Sequence, residues 1–108
     1  MSLLHHLRRL LAPRSHGAVR SNRWRTVERH HLAAHPECAA CGRKGHNQVH
    51  HQKPFHERPD LELDEKNLLT LCPVHHLVFG HADSWRAINP HVVEDSATHQ
   101  LRVERRGK

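Results

Sequence analysis

Cys38-x-x-Cys41 and Cys72-x-x-His75 are two chelating knuckles in one short chain. A C-x-x-C turn aims two sulfurs at one point, and a C-x-x-H turn does the same with a sulfur and an imidazole. Together they predict a closed Cys3His tetrahedron, the donor set of a structural Zn²⁺ with no open coordination position. The two-residue spacing favours His75 as the fourth ligand, although His76 stands next to it and the sequence alone leaves open which imidazole faces the ion.

With those four set aside, His50, His51, Asn67 and His76 remain in a small region of the chain. Their types suit the hydrolysis of a phosphodiester. That reaction needs a deprotonated water and relief of the charge on phosphorus and on the leaving oxygen. An imidazole that titrates near neutrality is a suitable base, and a cation held by others polarises the phosphoryl group. A lone histidine is ordinarily a surface or capping residue; three of them with Asn67 beside two knuckles are a constellation.

The elements that must bring them together can be read from pattern. Residues 21–35 form a helix with Ser21 or Asn22 as its cap, Trp24, Val27, His31 and Ala34 along one stripe, and Pro36 beyond its end. Trp24 is expected as a core anchor, because one lone aromatic is no stacking platform for bases. Gln48 to His51 reads as a strand broken by Lys53-Pro54 and followed by a loop to Lys66. Leu68 to Leu71 is a second strand. Pro73 suits the first turn of a helix, and Gly80 suits its end. If the strands pair, the end of one lies beside the start of the other, and the helix carries His76 across both. Further on, Asp83 or Ser84 would cap a short helix through Trp85 and Ile88 up to Pro90. His99 to Val103 alternates like a strand and runs into a basic tail.

These segments resemble the HNH endonucleases: Cys38-x-x-Cys41, Val49-His50-His51-Gln52-Lys53-Pro54, Asn67-Leu68-Leu69-Thr70-Leu71-Cys72 and His75-His76. The resemblance runs from about residue 22 to 82. It implies an α+β fold, the small ββα-metal core of a two-stranded antiparallel hairpin plus a helix, here with flanking helices and a structural zinc knuckle pair. With the charge and leucine pattern of the ends, three divisions are expected: a basic amphipathic arm at 1–20, the nuclease domain at 21–90 and a basic tail at 91–108. The resemblance also implies roles. His51 is the general base. His50 and His76 are ligands of a catalytic divalent metal, and His81, five residues on, is a candidate third ligand in a chain with Gly80 at the fourth. Asn67 either orients the His51 loop or touches the metal. The implied products carry a 5′-phosphate and a 3′-hydroxyl. Because His50 stands where a carboxylate is common, the ligand set is imidazole-rich. Such a set favours Mn²⁺, Ni²⁺, Co²⁺ or Zn²⁺ over Mg²⁺.

Composition sets the surroundings. The 108 residues carry a formal net charge of +6, and seven arginines precede Cys38 against only Glu28 and Glu37. Such a surface attracts polyanions, with DNA the expected partner. Arg43, Lys44, Lys53 and Arg58 flank the motif as candidate phosphate contacts. Three cysteines cannot all pair within the chain, which argues against a disulfide framework. A core this small gains from a metal staple. No apolar run is long enough to cross a membrane, and the cytoplasm is the expected compartment. Leu3, Leu4, Leu7, Leu10 and Leu11 fall at helical spacing, so the N-terminal arm is the one hint of a homodimer. A zinc-stabilised nucleic-acid-binding module without catalysis is the alternative function; it has no use for His50, His51, Asn67 and His76 together.

Overall fold

The computed structural model describes residues 19–106. Its elements are helix α1 (Trp24–Ala34), strand β1 (Gln48–His51), strand β2 (Leu68–Leu71), a short helix α2 (Pro73–His75) that continues as a single π turn (His76–Gly80), and helix α3 (Val92–Arg106). Short 3-10 turns at Pro59–Leu61 and Glu65–Asn67 fold the long loop between the strands. The leucine-striped segment expected as an amphipathic arm lies outside the described residues, and the homodimer expectation rests on that stripe alone. No described helix is long and apolar enough to cross a membrane.

The hairpin sits where sequence pattern puts it. β1 and β2 pair antiparallel, with His51 opposite Leu68 and Gln48 opposite Leu71. Neither strand alternates cleanly between buried and exposed. The cause is cover on both sides: α1 packs on both strands, and the π turn packs on β1. Burial on two faces removes the period-two signal that a half-solvated strand would show.

α1 ends at Ala34 because His35 precedes Pro36, and the residue before a proline is pushed out of the helical region; His35 sits at φ −131° and ψ 72°. The expected side-chain cap is absent at its start. Arg23 is the cap residue and makes no such bond. The Ser21 hydroxyl accepts from the Arg23 amide instead, while the Ser21 amide donates to the Glu62 carboxylate at 3.0 Å. The start of α1 is therefore fixed to the inter-strand loop rather than capped by its own residues.

Two expectations downstream of Gly80 are corrected. Residues 83–90 form turns rather than a short helix, with the Ala87 amide bonded to the Ser84 carbonyl and the Asn89 amide to the Gly80 carbonyl. His99 to Val103 is helical and belongs to α3. The alternation that mimics a strand there is overridden by packing: Val92 and Ser96, four residues apart and so on one helix face, are both buried. Val92 joins Cys38, Ala40, Leu71 and Cys72 in the hydrophobic core, with Phe79 and Leu69 packed against it. A core whose members include two of the three cysteines depends on what those cysteines hold.

Candidate functional site

The knuckles converge. Cys38, Cys41, Cys72 and His75 bring their ligand atoms within 4.8 Å of one another. His75 Nδ1 lies 3.3 Å from Cys72 Sγ and 3.8 Å from Cys38 Sγ. The choice left open between adjacent imidazoles falls on His75. The first knuckle is a tight turn: the Gly42 amide bonds the Cys38 carbonyl at 2.8 Å, and Gly42 has φ +77°, a conformation glycine adopts without strain. The Ala39 amide then bonds the Thr70 carbonyl, fastening this knuckle to β2 just before Cys72.

Electrostatics at the four residues call for a cation. Burial raises the Cys41 thiol, and the neighbouring Cys38 and Cys72 sulfurs add to it, so that it reaches about 11. Burial also opposes the Cys38 thiolate, yet backbone N–H groups of Cys72, Ala40 and Cys41 outweigh it and leave that thiol lower than usual. One sulfur is prepared to be a thiolate, and its partner resists a second negative charge until a positive ion arrives. Three sulfurs and one imidazole form a donor set compatible with zinc.

A second cluster lies across β1. His50, His76 and His81 bring ring nitrogens within 4.8 Å. His76 Nδ1 donates to Gln48 Oε1 at 2.7 Å, and His81 Nδ1 donates to the Ala87 carbonyl at 2.9 Å. Each ring therefore turns its Nε2 inward, the nitrogen that carries the lone pair when the ring is neutral, and these two nitrogens stand 3.3 Å apart. His50 Nε2 is buried with no hydrogen-bond partner. Lone pairs that face one another without a proton between them repel, unless a cation lies among them. An outer N–H given to a carbonyl or amide oxygen is how metal-bound imidazoles are oriented. The donor set fits a divalent ion of borderline softness. Burial, with help from the neighbouring imidazoles, drives His50 down to about 3 and His76 to about 4. Both are neutral at pH 7, the form a metal requires.

The π turn is what recruits His81. At α-helical pitch a residue five positions on faces away, and the residue four on would share the face. The wider turn of His76–Gly80 brings position 81 round to the side of His76. Gly80 makes room: a Cβ there would stand 3.0 Å from His50 Nδ1 and 3.1 Å from His76 Cδ2.

His51 is held apart from this cluster. Its Nε2 donates to the Glu62 carbonyl at 3.0 Å, so Nδ1 carries the lone pair. Trp24 packs on the ring with centroids 4.5 Å apart. Burial lowers the His51 pKa below its ordinary value, the Arg20 charge adds to this, and the Glu62 hydrogen bond partly opposes it. Glu62 is a hub that sequence pattern does not flag. Its carbonyl orients His51, and its buried carboxylate binds Arg20 at 3.3 Å and the Ser21 amide. Asn67 spends its whole amide on the loop that follows His51. Its Oδ1 accepts from the Lys53 amide at 2.8 Å, and its Nδ2 donates to the Lys53 and Leu61 carbonyls.

A cavity of about 410 Å³ gathers these groups, with His50, His51, His76 and His81 in its wall. Arg20, Phe55, Trp85 and Arg86 line its rim. The Arg20 guanidinium lies over the Phe55 ring at 4.5 Å and the Trp24 ring at 5.5 Å. Trp85 is exposed, and its ring sits 4.8 Å from that of His81 and 5.2 Å from that of His76. None of these four carries a local sequence signal, since their proximity arises from loop folding. The basic residues expected to touch phosphate lie elsewhere. Arg58 forms a two-pronged pair with Asp60, Lys44 pairs with Glu37, and Arg43 and Lys53 are exposed outside the cavity wall.

Comparison with known proteins agrees with this geometry. Searches of curated proteins and of solved structures gave no match. The family model described as HNH endonuclease matches residues 38–78, from the first knuckle through the start of the π turn. The segment from residue 38 to 78 is thus similar to an HNH endonuclease domain.

Proposed function

We propose that the protein is a metal-dependent endonuclease that hydrolyses DNA phosphodiester bonds. The observation that supports it most directly is the inward convergence of imidazole nitrogens at His50, His76 and His81, beside a fourth imidazole whose Nδ1 is kept free. His50, His76 and His81 would hold the catalytic cation, and Cys38, Cys41, Cys72 and His75 a structural Zn²⁺. When bound, a divalent ion at the three histidines polarises the scissile phosphate and stabilises charge on the departing 3′-oxygen.

The chain's own groups account for the rest. His51 is the general base: with Nε2–H fixed on the Glu62 carbonyl, Nδ1 accepts a proton from the attacking water. Trp24 and the Glu62 carbonyl hold the ring in one orientation, so little reorganisation accompanies the transfer. Asn67 is a positioning residue that closes the loop after His51. Arg20, tethered by Glu62 at the cavity rim, and Arg86 beside it are placed to contact the phosphate backbone. The rim and the +6 net charge suit a polyanionic substrate.

A plasmid-nicking assay of wild type against His51→Ala tests the reading. Loss of a positioned general base costs roughly 10²–10⁴-fold in rate. The expected result is loss of nicking on that scale with DNA binding retained in a mobility-shift assay. Equal, weak nicking by both proteins would instead favour a nucleic-acid-binding module stabilised by the cysteine-bound ion.

A further inference from the structure

We propose that His31, His35 and Glu65 form an additional divalent-metal site, separate from the cysteine cluster and from the cavity histidines. His31 and His35 are four residues apart, at the last turn and the C-terminal boundary of α1. That spacing puts two imidazoles on one face. Their ring centroids are 4.8 Å apart. Glu65 reaches them from the 3-10 turn that leads into β2, with its Oε2 2.9 Å from His31 Nδ1. One ligand atom from each of the three residues lies within 4.8 Å of the others.

Four features favour a cation there over a solvated ion pair. His31 is 4% exposed and its Nε2 has no hydrogen-bond partner among the described residues, where Glu65 is the one hydrogen-bond partner of a buried ring. A helix C-terminus carries partial negative charge and stabilises cations. The adjoining cavity, about 720 Å³, is lined by Glu65 and by Glu37, which pairs with Lys44, and among the described residues by no lysine or arginine. Two imidazoles and one carboxylate are also an established donor set for zinc-like ions, with a fourth position left to water. His35 and Glu65 are exposed and free to adjust, so the donors can draw in to a bonded spacing without moving backbone. Borderline ions such as Zn²⁺, Ni²⁺ or Cu²⁺ are the class expected, rather than Mg²⁺ or Ca²⁺. The ion would fasten α1 to the turn that carries Asn67.

Native mass spectrometry of the full chain, stripped of metal and then dialysed against Zn²⁺, tests the site by counting bound ions. Wild type is expected to hold one ion more than His35→Ala, and one more than Glu65→Gln, with plasmid nicking unchanged in His35→Ala. The comparison is a difference between proteins, so it does not depend on how full the other two clusters are. Two variants guard against one that fails to fold, and circular dichroism identifies such a failure. A folded variant that keeps the wild-type ion count overturns the site and leaves His31 and Glu65 as an ordinary hydrogen-bonded pair.

Discussion

His76 and His81 face each other through Nε2 atoms 3.3 Å apart, each ring held by an outer hydrogen bond from Nδ1. With that of His50, these nitrogens are placed as a set of donors that could hold a metal ion. The π turn produces the relationship, since it sets position 81, rather than position 80, beside His76.

Replacing His81 should therefore weaken the catalytic ion directly. Loss of even an outer-shell partner costs roughly 10–100-fold in metal affinity or activity. His81→Ala is expected to lose at least that much apparent affinity in a Mn²⁺ titration of nicking, with partial recovery at high Mn²⁺. The all-imidazole set should also make Mn²⁺ or Ni²⁺ at least as effective as Mg²⁺ in wild type. A strict Mg²⁺ requirement, or His81→Ala activity equal to wild type at limiting metal, would contradict the assignment.

Gly80 offers a test of geometry without removal of any ligand. An added Cβ would meet His50 Nδ1 at 3.0 Å and His76 Cδ2 at 3.1 Å, so one ring must shift. Overpacking of this kind costs about 1–3 kcal/mol. Alanine is otherwise favoured over glycine at helical backbone angles, so the thermal midpoint is expected to fall only modestly. Cleavage is expected to fall at least tenfold, with weaker metal binding by calorimetry. Wild-type cleavage in Gly80→Ala would show that the rings have slack.

Much of this site was legible in the sequence, for identifiable reasons. Knuckle spacing is local chemistry, so Cys38, Cys41, Cys72 and His75 could be read directly, and the structure brings them together. The hairpin was legible because Lys53-Pro54 breaks the chain after the first strand and Asn67 opens the apolar run Leu68–Leu71, and the paired strands match to the residue. Asn67 had two readings because side-chain hydrogen bonds to a distant loop leave no trace in local pattern. Arg20 and Glu62 stayed hidden for the same reason, being 42 residues apart. The C-terminal strand reading failed because short alternation was outweighed by a helix face that buries Val92 and Ser96.

Removal of the cysteine-bound ion should unfold the domain rather than merely silence it. Cys38 and Cys72 are core members beside Leu71 and Val92, and His75 stacks on Phe79 under α3. Domains of this size are stable by about 5–15 kcal/mol, and a structural zinc site contributes energy of similar size, about 10–16 kcal/mol in small peptides. A strong chelator is expected to abolish the helical circular dichroism signal in a cooperative step, reversed by Zn²⁺. Cys72→Ser should behave as the chelated protein does, and a native spectrum from either would refute a structural role.

The pH profile follows from His51. Burial and the Arg20 charge disfavour its protonated form and the Glu62 hydrogen bond only partly offsets them, so its pKa lies below the ordinary 6.5. Only the unprotonated ring can accept the proton from water. The rate constant kcat/KM, measured at saturating Mn²⁺, should therefore be flat through neutrality and fall tenfold per unit below a bend placed under 6.5. Stability has the same sign. The unfolded chain takes up protons near 6.5 that folded His51, His50 and His76 refuse, the latter two until about 3 and 4, so stability declines as pH drops below 6.5. Arg20→Ala removes one of the depressing charges and should move the kinetic bend upward towards 6.5. A bend above 6.5 in wild type, or one that Arg20→Ala leaves in place, would mean that His51 is not the base or that Arg20 does not act on it.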